Sequence, residues 1–244
     1  ANPAVVLLGL SATPGRAVLE AIQNERLSLL FGNKLLAPNF GGVDAITALR
    51  NLGVLAHVKR KVIWNPQQYE LRKVERDYLF DFFDFPPSFV ERVGLDEKRN
   101  LAIVSSVIDQ ARQGNQCIVF ACGVAHAKLL SALVGLRGVE SCCVTGDMRH
   151  ATRLRAIDGF RRGAFKVLTN FGILSTGFDV PSVGAVVIAR PTSSVVLYSQ
   201  MIGRGLRGPK VGGKAECLVI DVIDNIEGFG TDAEIYNYFA DYWD

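Results

Sequence analysis

The chain has 244 residues, of which 49% are hydrophobic and 21% charged, and its formal net charge is +3. These proportions are typical of a folded globular protein. Because the net charge is so small, any binding of nucleic acid would have to use a local groove. The longest apolar runs are strand-sized, below the ~20 residues that a membrane helix needs, and no secretory signal opens the chain. We therefore expect a cytoplasmic protein without a membrane partner.

The first 95 residues contain few strand patterns. One buried-type strand at 4–10 leads into Ser11-Ala12-Thr13-Pro14-Gly15, and because it starts so close to residue 1 we expect the chain to be part of a longer protein. The strands are too few for a sheet of their own, so residues 16–95 are predicted to be a mostly helical connector. Its predicted elements are helices at 16–30 and 43–52, a strand at 57–64 and a charged helix near 67–80.

From residue 96 to residue 244, helical and strand patterns alternate. The strands are apolar throughout, which is typical of parallel strands that helices cover on both faces. We therefore predict a doubly wound α/β domain. Its predicted elements are helices at 96–112, 124–136, 149–162 and 172–175, a further helix around Gln200, and strands at 116–121, 139–144, 166–168, 185–189 and 216–220.

The cysteines of the chain carry no metal pattern. None of the five forms a C-x-x-C pair or has a histidine at ligand spacing. Cys117 and Cys122 flank one apolar strand and Cys217 precedes another, so they are expected to behave as small apolar residues. We expect reduced thiols and no metal site among them.

Small and polar residues follow the predicted strands. In doubly wound domains ligands bind outside the carboxyl ends of the strands, so these positions are candidates for binding. They are Gly123, Thr145-Gly146, Thr169-Asn170 and Arg190-Pro191-Thr192.

The segment 198–208 places Gln200, Arg204 and Arg207 at i, i+4 and i+7 of a predicted helix. On a helix these three side chains would form one stripe, and neighbouring guanidinium groups repel each other unless an anion lies between them. A polyphosphate is the obvious anion. A solvated basic helix face is the alternative that the spacing alone leaves open.

Two glycine-rich patterns nearby imitate phosphate loops. Gly203-x-Gly205-x-x-Gly208 has the spacing of a dinucleotide fingerprint, but it closes a helix, whereas the fingerprint follows a strand. The segment 208–214 is close to a Walker A motif, yet residue 215 is alanine and provides no hydroxyl for Mg²⁺. We reject both and predict a flexible turn.

Four blocks together resemble the second motor lobe of superfamily 2 helicases. Ile118-Val119-Phe120-Ala121 resembles motif IV, and the segments 167–170 and 177–181 resemble motif V. Gln200-Met-Ile-Gly203-Arg204-Gly-Leu-Arg207 resembles motif VI, and the segment 9–14 resembles motif III, which ends the first lobe. Arg190-Pro191-Thr192-Ser193 is similar to an element of the bacterial branch of restriction-enzyme motors and repair helicases. The implied fold is a RecA-like second lobe at 96–244, preceded by a partial first-lobe strand at 1–15 and the connector.

The resemblance implies roles for these residues. Arg204 and Arg207 would reach the phosphates of ATP, at least one of them as an arginine finger, and Gln200 would order the γ-phosphate or the attacking water. Gly177 and Asp179 would line the nucleotide cleft. Ser11 and Thr13 would couple the two lobes. The implied contacts with the nucleic-acid backbone, taken to be DNA by resemblance to the branch, are Gly123, His126, Thr145, Gly146, Thr169, Asn170 and Thr192.

The chain departs from a complete motor in one respect. It has neither a valid Walker A motif nor the acidic box that holds Mg²⁺ and activates water. We therefore expect ATP and Mg²⁺ to be held mainly by a first lobe acting in cis, and we expect no hydrolysis by this chain alone. A natural half-motor that serves as a binding or regulatory module, and the motor part of a restriction nuclease, remain as alternatives.

Overall fold

The structure is a computed structural model that describes residue 29 and residues 39–43, 45–82, 84–173 and 179–226. The predicted strand at 4–10, Ser11 and Thr13, nearly all of the helix at 16–30, and Gly177 lie outside the described residues. Within the described ranges, no helix is both long and apolar enough to cross a membrane.

From residue 96 onward, helices and strands follow the predicted order except at 172–175, where a short helix was predicted. Gly172 and Ile173 are not helical, and the rest of that segment lies outside the described residues. Most boundaries differ by only one or two residues from the predicted ones, because apolar runs, caps and glycines are local signals. The elements are α1 (Ala45–Asn51), β1 (His57–Tyr69), α2 (Lys73–Phe82), α3 (Pro87–Gly94), α4 (Glu97–Arg112), β2 (Gln116–Phe120), α5 (Val124–Leu136), β3 (Ser141–Thr145), α6 (His150–Arg161), β4 (Val167–Phe171), β5 (Val183–Ile188), α7 (Val195–Ile202), a 3₁₀ turn (Pro209–Val211) and β6 (Glu216–Ile226).

These strands form a six-stranded sheet in the order β1-β6-β5-β2-β4-β3. Every neighbouring pair is parallel, and β2 and β5 are buried along their whole length. Successive side chains of a strand point to opposite faces, so each strand contributes to two cores. Ile118 and Phe120 pack in one core, whereas Cys117 and Val119 pack in the other. The predicted doubly wound parallel sheet is confirmed.

Strand β1 is an edge strand of this same sheet. It pairs in parallel with β6 from His57 opposite Glu216 to Tyr69 opposite Ile226. The sequence placed a shorter strand, 57–64, inside a connector, and it assigned 67–80 to a helix that in fact begins at Lys73. The difference arises because pairing between strands so far apart in the chain leaves no local signal.

A buried ion pair fixes helix α4 to the sheet. The side chain of Arg99 is 2% exposed, and its Nε and Nη2 donate to the two carboxylate oxygens of Asp224 in β6 at 2.7 and 2.9 Å. Nη2 also donates to the carbonyl oxygen of Ala189 at 2.7 Å. Because a buried charge is costly unless it is paired and hydrogen-bonded, this geometry holds α4, β6 and the end of β5 in one arrangement.

Candidate nucleotide and nucleic-acid interface

Helix α7 ends at Ile202, before either arginine of the predicted stripe. Gly203 is its C-cap, and the chain continues as a turn in which the Arg204 N–H donates to the Met201 carbonyl at 3.2 Å. Gln200 alone lies on the helix, so the prediction of one helical face for all three residues was wrong. We call residues 203–208 the arginine loop. Glycine has a low helical propensity, which favours the end of the helix at this position.

Glycines allow the arginine loop to lie against the sheet. A Cβ on Gly205 would collide with Cys217 Sγ and come within 2.7 Å of Val186 Cγ2. A Cβ on Gly208 would collide with the carbonyl oxygen of Gly53. The spacing that imitates a dinucleotide fingerprint therefore reflects close packing of a loop that follows a helix, and its rejection as a nucleotide motif agrees with this placement.

The arginine loop is also bound to the chain that precedes β1. The Ala56 N–H donates to the Leu206 carbonyl at 3.0 Å, and the Gly208 N–H donates to the Val54 carbonyl at 2.9 Å. Leu55 and Arg207 form an antiparallel bridge between these hydrogen bonds. The loop is therefore held by its main chain, independently of any ligand.

Arg207 forms an ion pair with Asp179. The distance from Arg207 Nε to Asp179 Oδ1 is 2.9 Å, and Arg207 Nη1 donates to the Gly203 carbonyl at 3.4 Å. Burial lowers the pKa of Arg204, the positive charge of Arg207 lowers it further, and Asp179 opposes both effects. The two positive charges thus act on each other, and the one carboxylate shown to pair with them contacts Arg207, so the site suits binding of a further anion.

This site lies at the amino edge of the sheet. Asp179 comes shortly before β5, Leu55 shortly before β1, and the Lys214 N–H, just before β6, donates to the Arg207 carbonyl at 3.0 Å. Ligands of doubly wound domains usually bind at the carboxyl ends of the strands, which the candidate nucleic-acid residues follow. The structure therefore separates the arginine loop from those residues.

His126 is a buried residue of the fold. Its side chain is 6% exposed, Nδ1 accepts from the Cys122 N–H at 3.0 Å, and Nε2 lies 2.9 Å from Asn100 Oδ1. Burial first, and then the charge of Arg99, lower the pKa of His126 from 6.5 to about 3. A neutral ring with both nitrogens occupied has no group to offer a phosphate, so the structure contradicts the predicted contact through this side chain.

Three other candidates at the carboxyl edge are also buried. Thr145 and Thr169 are 0% exposed and Asn170 is 1% exposed. Each donates a hydrogen bond within the protein: Thr145 Oγ1 to Asp147, Thr169 Oγ1 to the Ala127 carbonyl, and Asn170 Nδ2 to the Val119 carbonyl. Asn170 Oδ1 is buried without a hydrogen-bond partner among the described residues. Because these side chains are buried, contact with nucleic acid, which stays a prediction, would use the main chain here.

The two candidate glycines at this edge differ in exposure. Gly123 is buried, caps α5, and would place a Cβ 3.7 Å from Glu91 Cγ. Gly146 is exposed, and a Cβ there would meet nothing within 4 Å. Gly146 therefore presents its main chain to solvent, as a backbone contact requires.

Comparison with known proteins finds a family match for part of this fold. The sequence profile of the Helicase conserved C-terminal domain matches residues 99–208. We call this segment, which is similar to the C-terminal lobe of superfamily 2 helicases, the helicase lobe. The lobe includes strands β2 to β5 and both predicted arginines, whereas β1 and β6 of its sheet lie outside the matched segment.

Relatives of the helicase lobe are longer proteins. IRC3 of Saccharomyces cerevisiae, provisionally named an ATP-dependent helicase, is 35% identical over 114 residues, which are 47% of this chain and 16% of IRC3. DEAD-box ATP-dependent RNA helicase 9 of Oryza sativa subsp. japonica is 32% identical over 111 residues, 46% of this chain and 18% of the relative. The chain thus spans less than a fifth of the length of either relative.

A solved structure of similar fold is the C-terminal domain of a variant of S. cerevisiae Dbp5 bound to Gle1 and IP6. It is 28% identical, with a TM-score of 0.47, and the match covers 57% of this chain and 80% of that one.

The structure contains an ion-paired cluster around Asp84 that was not predicted from the sequence. Asp84, between α2 and α3, accepts hydrogen bonds from Arg190, Thr192 and the Ser193 N–H. Thr192 was a candidate because it follows a strand. Asp84 lies in an aromatic segment, and no sequence pattern there indicated a functional role for it. We call these four residues the Asp84 cluster.

A second unpredicted contact positions α7. Tyr198 Oη donates to the buried carboxylate of Asp221 in β6 at 2.9 Å, and Arg60 Nε of β1 donates to the same carboxylate at 2.6 Å. Burial raises the pKa of Asp221, and the hydrogen bond from Arg60 opposes this shift. The contact joins the helix that carries Gln200 to two strands.

No ligand set for Mg²⁺ appears in the part of the chain that the structure describes. Within those ranges, no group of three or more histidine, cysteine, aspartate or glutamate residues could hold a metal ion. The chemistry of the arginine loop is that of an anion site, since guanidinium groups repel cations.

Proposed function

We propose that this chain provides the second lobe of an ATP-dependent DNA helicase or translocase of superfamily 2. The observation that carries the proposal is the arginine loop, whose main chain is held at one edge of the sheet and carries both Arg204 and Arg207. ATP-dependent helicases among the relatives support the use of ATP. ATP and Mg²⁺ would be held mainly by a first lobe, which would complete the site from the other side.

Arg207 is the stronger candidate for the arginine finger. Its side chain is about a third exposed and already binds a carboxylate, Asp179, so a phosphate group can take the same donors. In the transition state of phosphoryl transfer, such a residue stabilises charge that spreads over the phosphoryl oxygens, by roughly 10³- to 10⁵-fold in rate. Arg204 would contact the same phosphates, and Gln200, in the last turn of α7, would orient the attacking water.

The nucleic-acid track would run along the opposite edge of the sheet. Gly146 and Thr192 are the candidates there with exposed or partly exposed surface, and Gly123 would contribute its main chain. DNA is proposed because the segment 190–193 resembles the restriction-motor branch, whereas one relative is named an RNA helicase. Titration of the two-lobe protein with DNA and RNA of matched length, at two salt concentrations, shows which of the two nucleic acids the track prefers.

The finger role is tested in a protein that unites this chain with its first lobe. Arg207→Ala is expected to keep nucleic-acid binding and to lower nucleic-acid-stimulated ATP hydrolysis by roughly 10³-fold or more. The matched control is Arg162→Ala, because Arg162 is an exposed arginine that pairs only with Asp158 one helical turn away among the described contacts. ATP hydrolysis that survives Arg207→Ala refutes the finger role.

The need for a first lobe has its own test. The chain alone is expected to show no turnover of ATP, because the arginine loop supplies no group that holds Mg²⁺ or activates water. Turnover by the purified chain that Arg207→Ala abolishes would contradict this expectation.

A further inference from the structure

The Asp84 carboxylate lies within a set of donors that suits a phosphate group. Arg190 Nη2 donates to Asp84 Oδ2 at 2.8 Å, and Thr192 Oγ1 and the Ser193 N–H donate to Oδ1 at 3.0 and 3.3 Å. The Ser194 N–H donates to Thr192 Oγ1 at 3.1 Å, which directs the hydroxyl proton towards Asp84. A guanidinium, a hydroxyl and a main-chain N–H are also the usual donors to nucleic-acid phosphates.

Arg190 retains unused donor capacity. Its Nε is buried and has no hydrogen-bond partner, although its Nη2 is paired with Asp84. Arginine presents a rigid fork that binds two oxygens of a carboxylate or phosphate at once. The single contact with Asp84 leaves this fork half used, whereas a phosphate group has more oxygens to offer.

The Asp84 cluster lies where the proposed track passes. The Ala189 N–H, next to Arg190, donates to the Phe120 carbonyl at the end of β2, at 3.0 Å. The Arg190 guanidinium carbon lies 6.0 Å from the centre of the Phe171 ring at the end of β4. The side chains of Arg190 and Asp84 are 23% and 22% exposed, so the pair can be reached from solvent.

The carboxylate can leave without moving its main chain far. Phe85, the next residue, is 6% exposed and stacks on Phe89 with ring centres 5.2 Å apart. This anchor fixes the segment between α2 and α3, so a rotation of the Asp84 side chain alone opens the donors.

We propose that Arg190, Thr192 and Ser193 form a binding site for one backbone phosphate of the nucleic acid, and that Asp84 occupies this site until the nucleic acid displaces it. The proposal rests on the proposed nucleic-acid track. A phosphate accepts hydrogen bonds from the same donors as a carboxylate, and the pair keeps contact with solvent, so a phosphate can compete with Asp84 for this site.

The decisive variant is Asp84→Asn, which keeps the shape of the side chain and removes its charge. The matched control is Glu216→Gln, because Glu216 forms a surface ion pair with Lys59 at 2.6 Å at the start of β6, on the opposite edge of the sheet. Both variants change the net charge equally. Asp84→Asn is expected to bind single-stranded oligonucleotides roughly three- to tenfold more tightly than wild type, and Glu216→Gln to bind them within about twofold of wild type.

Variants of the donors should act in the opposite direction. Arg190→Gln is expected to weaken binding roughly tenfold and to reduce the slope of log affinity against log salt by about one, since one phosphate contact is lost. Thr192→Val removes the hydroxyl at constant shape and should weaken binding by a smaller factor. Thermal unfolding of each variant verifies that the fold is retained.

Inorganic phosphate provides a readout at the site itself. The amide resonance of Ser193 is expected to shift on addition of phosphate, at a lower phosphate concentration in Asp84→Asn than in wild type. Unchanged oligonucleotide affinity in Asp84→Asn, or equal tightening in Glu216→Gln, overturns the proposal. A response to phosphate without any change in oligonucleotide affinity overturns nucleic acid as the ligand. If no variant binds DNA or RNA at all, the proposed track itself is refuted.

Discussion

The buried His126 should make the stability of the protein depend on pH. The pKa of this residue is lowered from 6.5 to about 3, chiefly by burial. A group whose pKa is lower in the folded state binds more protons when unfolded, so its contribution to stability is complete above the unfolded pKa and is lost as pH falls. The window therefore runs from about pH 6.5 down to about pH 3.

The magnitude follows from the size of the shift. Each unit of pKa corresponds to about 1.4 kcal/mol, so acidification from pH 8 to pH 5 should cost about 2 kcal/mol through His126 alone. At pH 3 the full shift corresponds to an upper limit of about 4 to 5 kcal/mol. The assay is the free energy of unfolding from urea titrations at several pH values.

The variant that isolates this effect is His126→Asn. Its side-chain oxygen can accept from the Cys122 N–H as Nδ1 does, but it does not titrate in this range. The control is His150→Asn, because His150 is exposed at the start of α6. His126→Asn is expected to be less stable than wild type at pH 8 and to lose less stability on acidification. Parallel curves for wild type and His126→Asn between pH 8 and pH 5 would refute the reasoning.

Three further predictions concern packing, the buried charge and the thiols. Gly205→Ala should destabilise by about 1–3 kcal/mol in urea titrations, whereas Gly146→Ala, where a Cβ meets nothing, should stay within about 0.5 kcal/mol of wild type. Arg99→Met should cost about 3–5 kcal/mol because it leaves the buried Asp224 carboxylate without its ion-pair partner and with a hydrogen bond from Asn65; Asp224→Leu in the same chain should restore much of the loss, and no restoration would contradict this account. Among the five cysteines, Cys143 is the one partly exposed, so mass spectrometry after brief alkylation of the native protein should find the label there first, and equal labelling of the buried thiols would count against their burial.

Much of the fold could be predicted because its signals are local. Continuous apolar runs such as 117–120 indicate buried parallel strands, and helix α4 begins where Asp96 caps it by accepting from the Arg99 N–H. The pairing of β1 with β6 joins residues far apart in the chain, and no periodicity reports it. A strand was therefore predicted at the right place but assigned to a connector.

The candidate site was likewise predicted only in part. The sequence identified Arg204 and Arg207 from residue type and spacing, but helical spacing misled because Gly203 and Gly205 end the helix and allow the loop to pack on Cys217. The loop that carries both arginines is held instead by hydrogen bonds to residues 53–56. The sequence placed His126 after a strand but did not show that its side chain is buried, and burial decides whether a polar side chain faces a ligand or the interior.

The sequence by itself determined the doubly wound α/β class, the relation to helicase C-terminal lobes and the two arginines, because residue type, spacing and apolar runs are properties of short segments. Only the tertiary structure decided which edge of the sheet carries the arginine loop, which polar side chains are used inside the fold, and that Asp84 lies against Arg190. These features depend on contacts between distant segments, and such contacts form only when the sheet assembles.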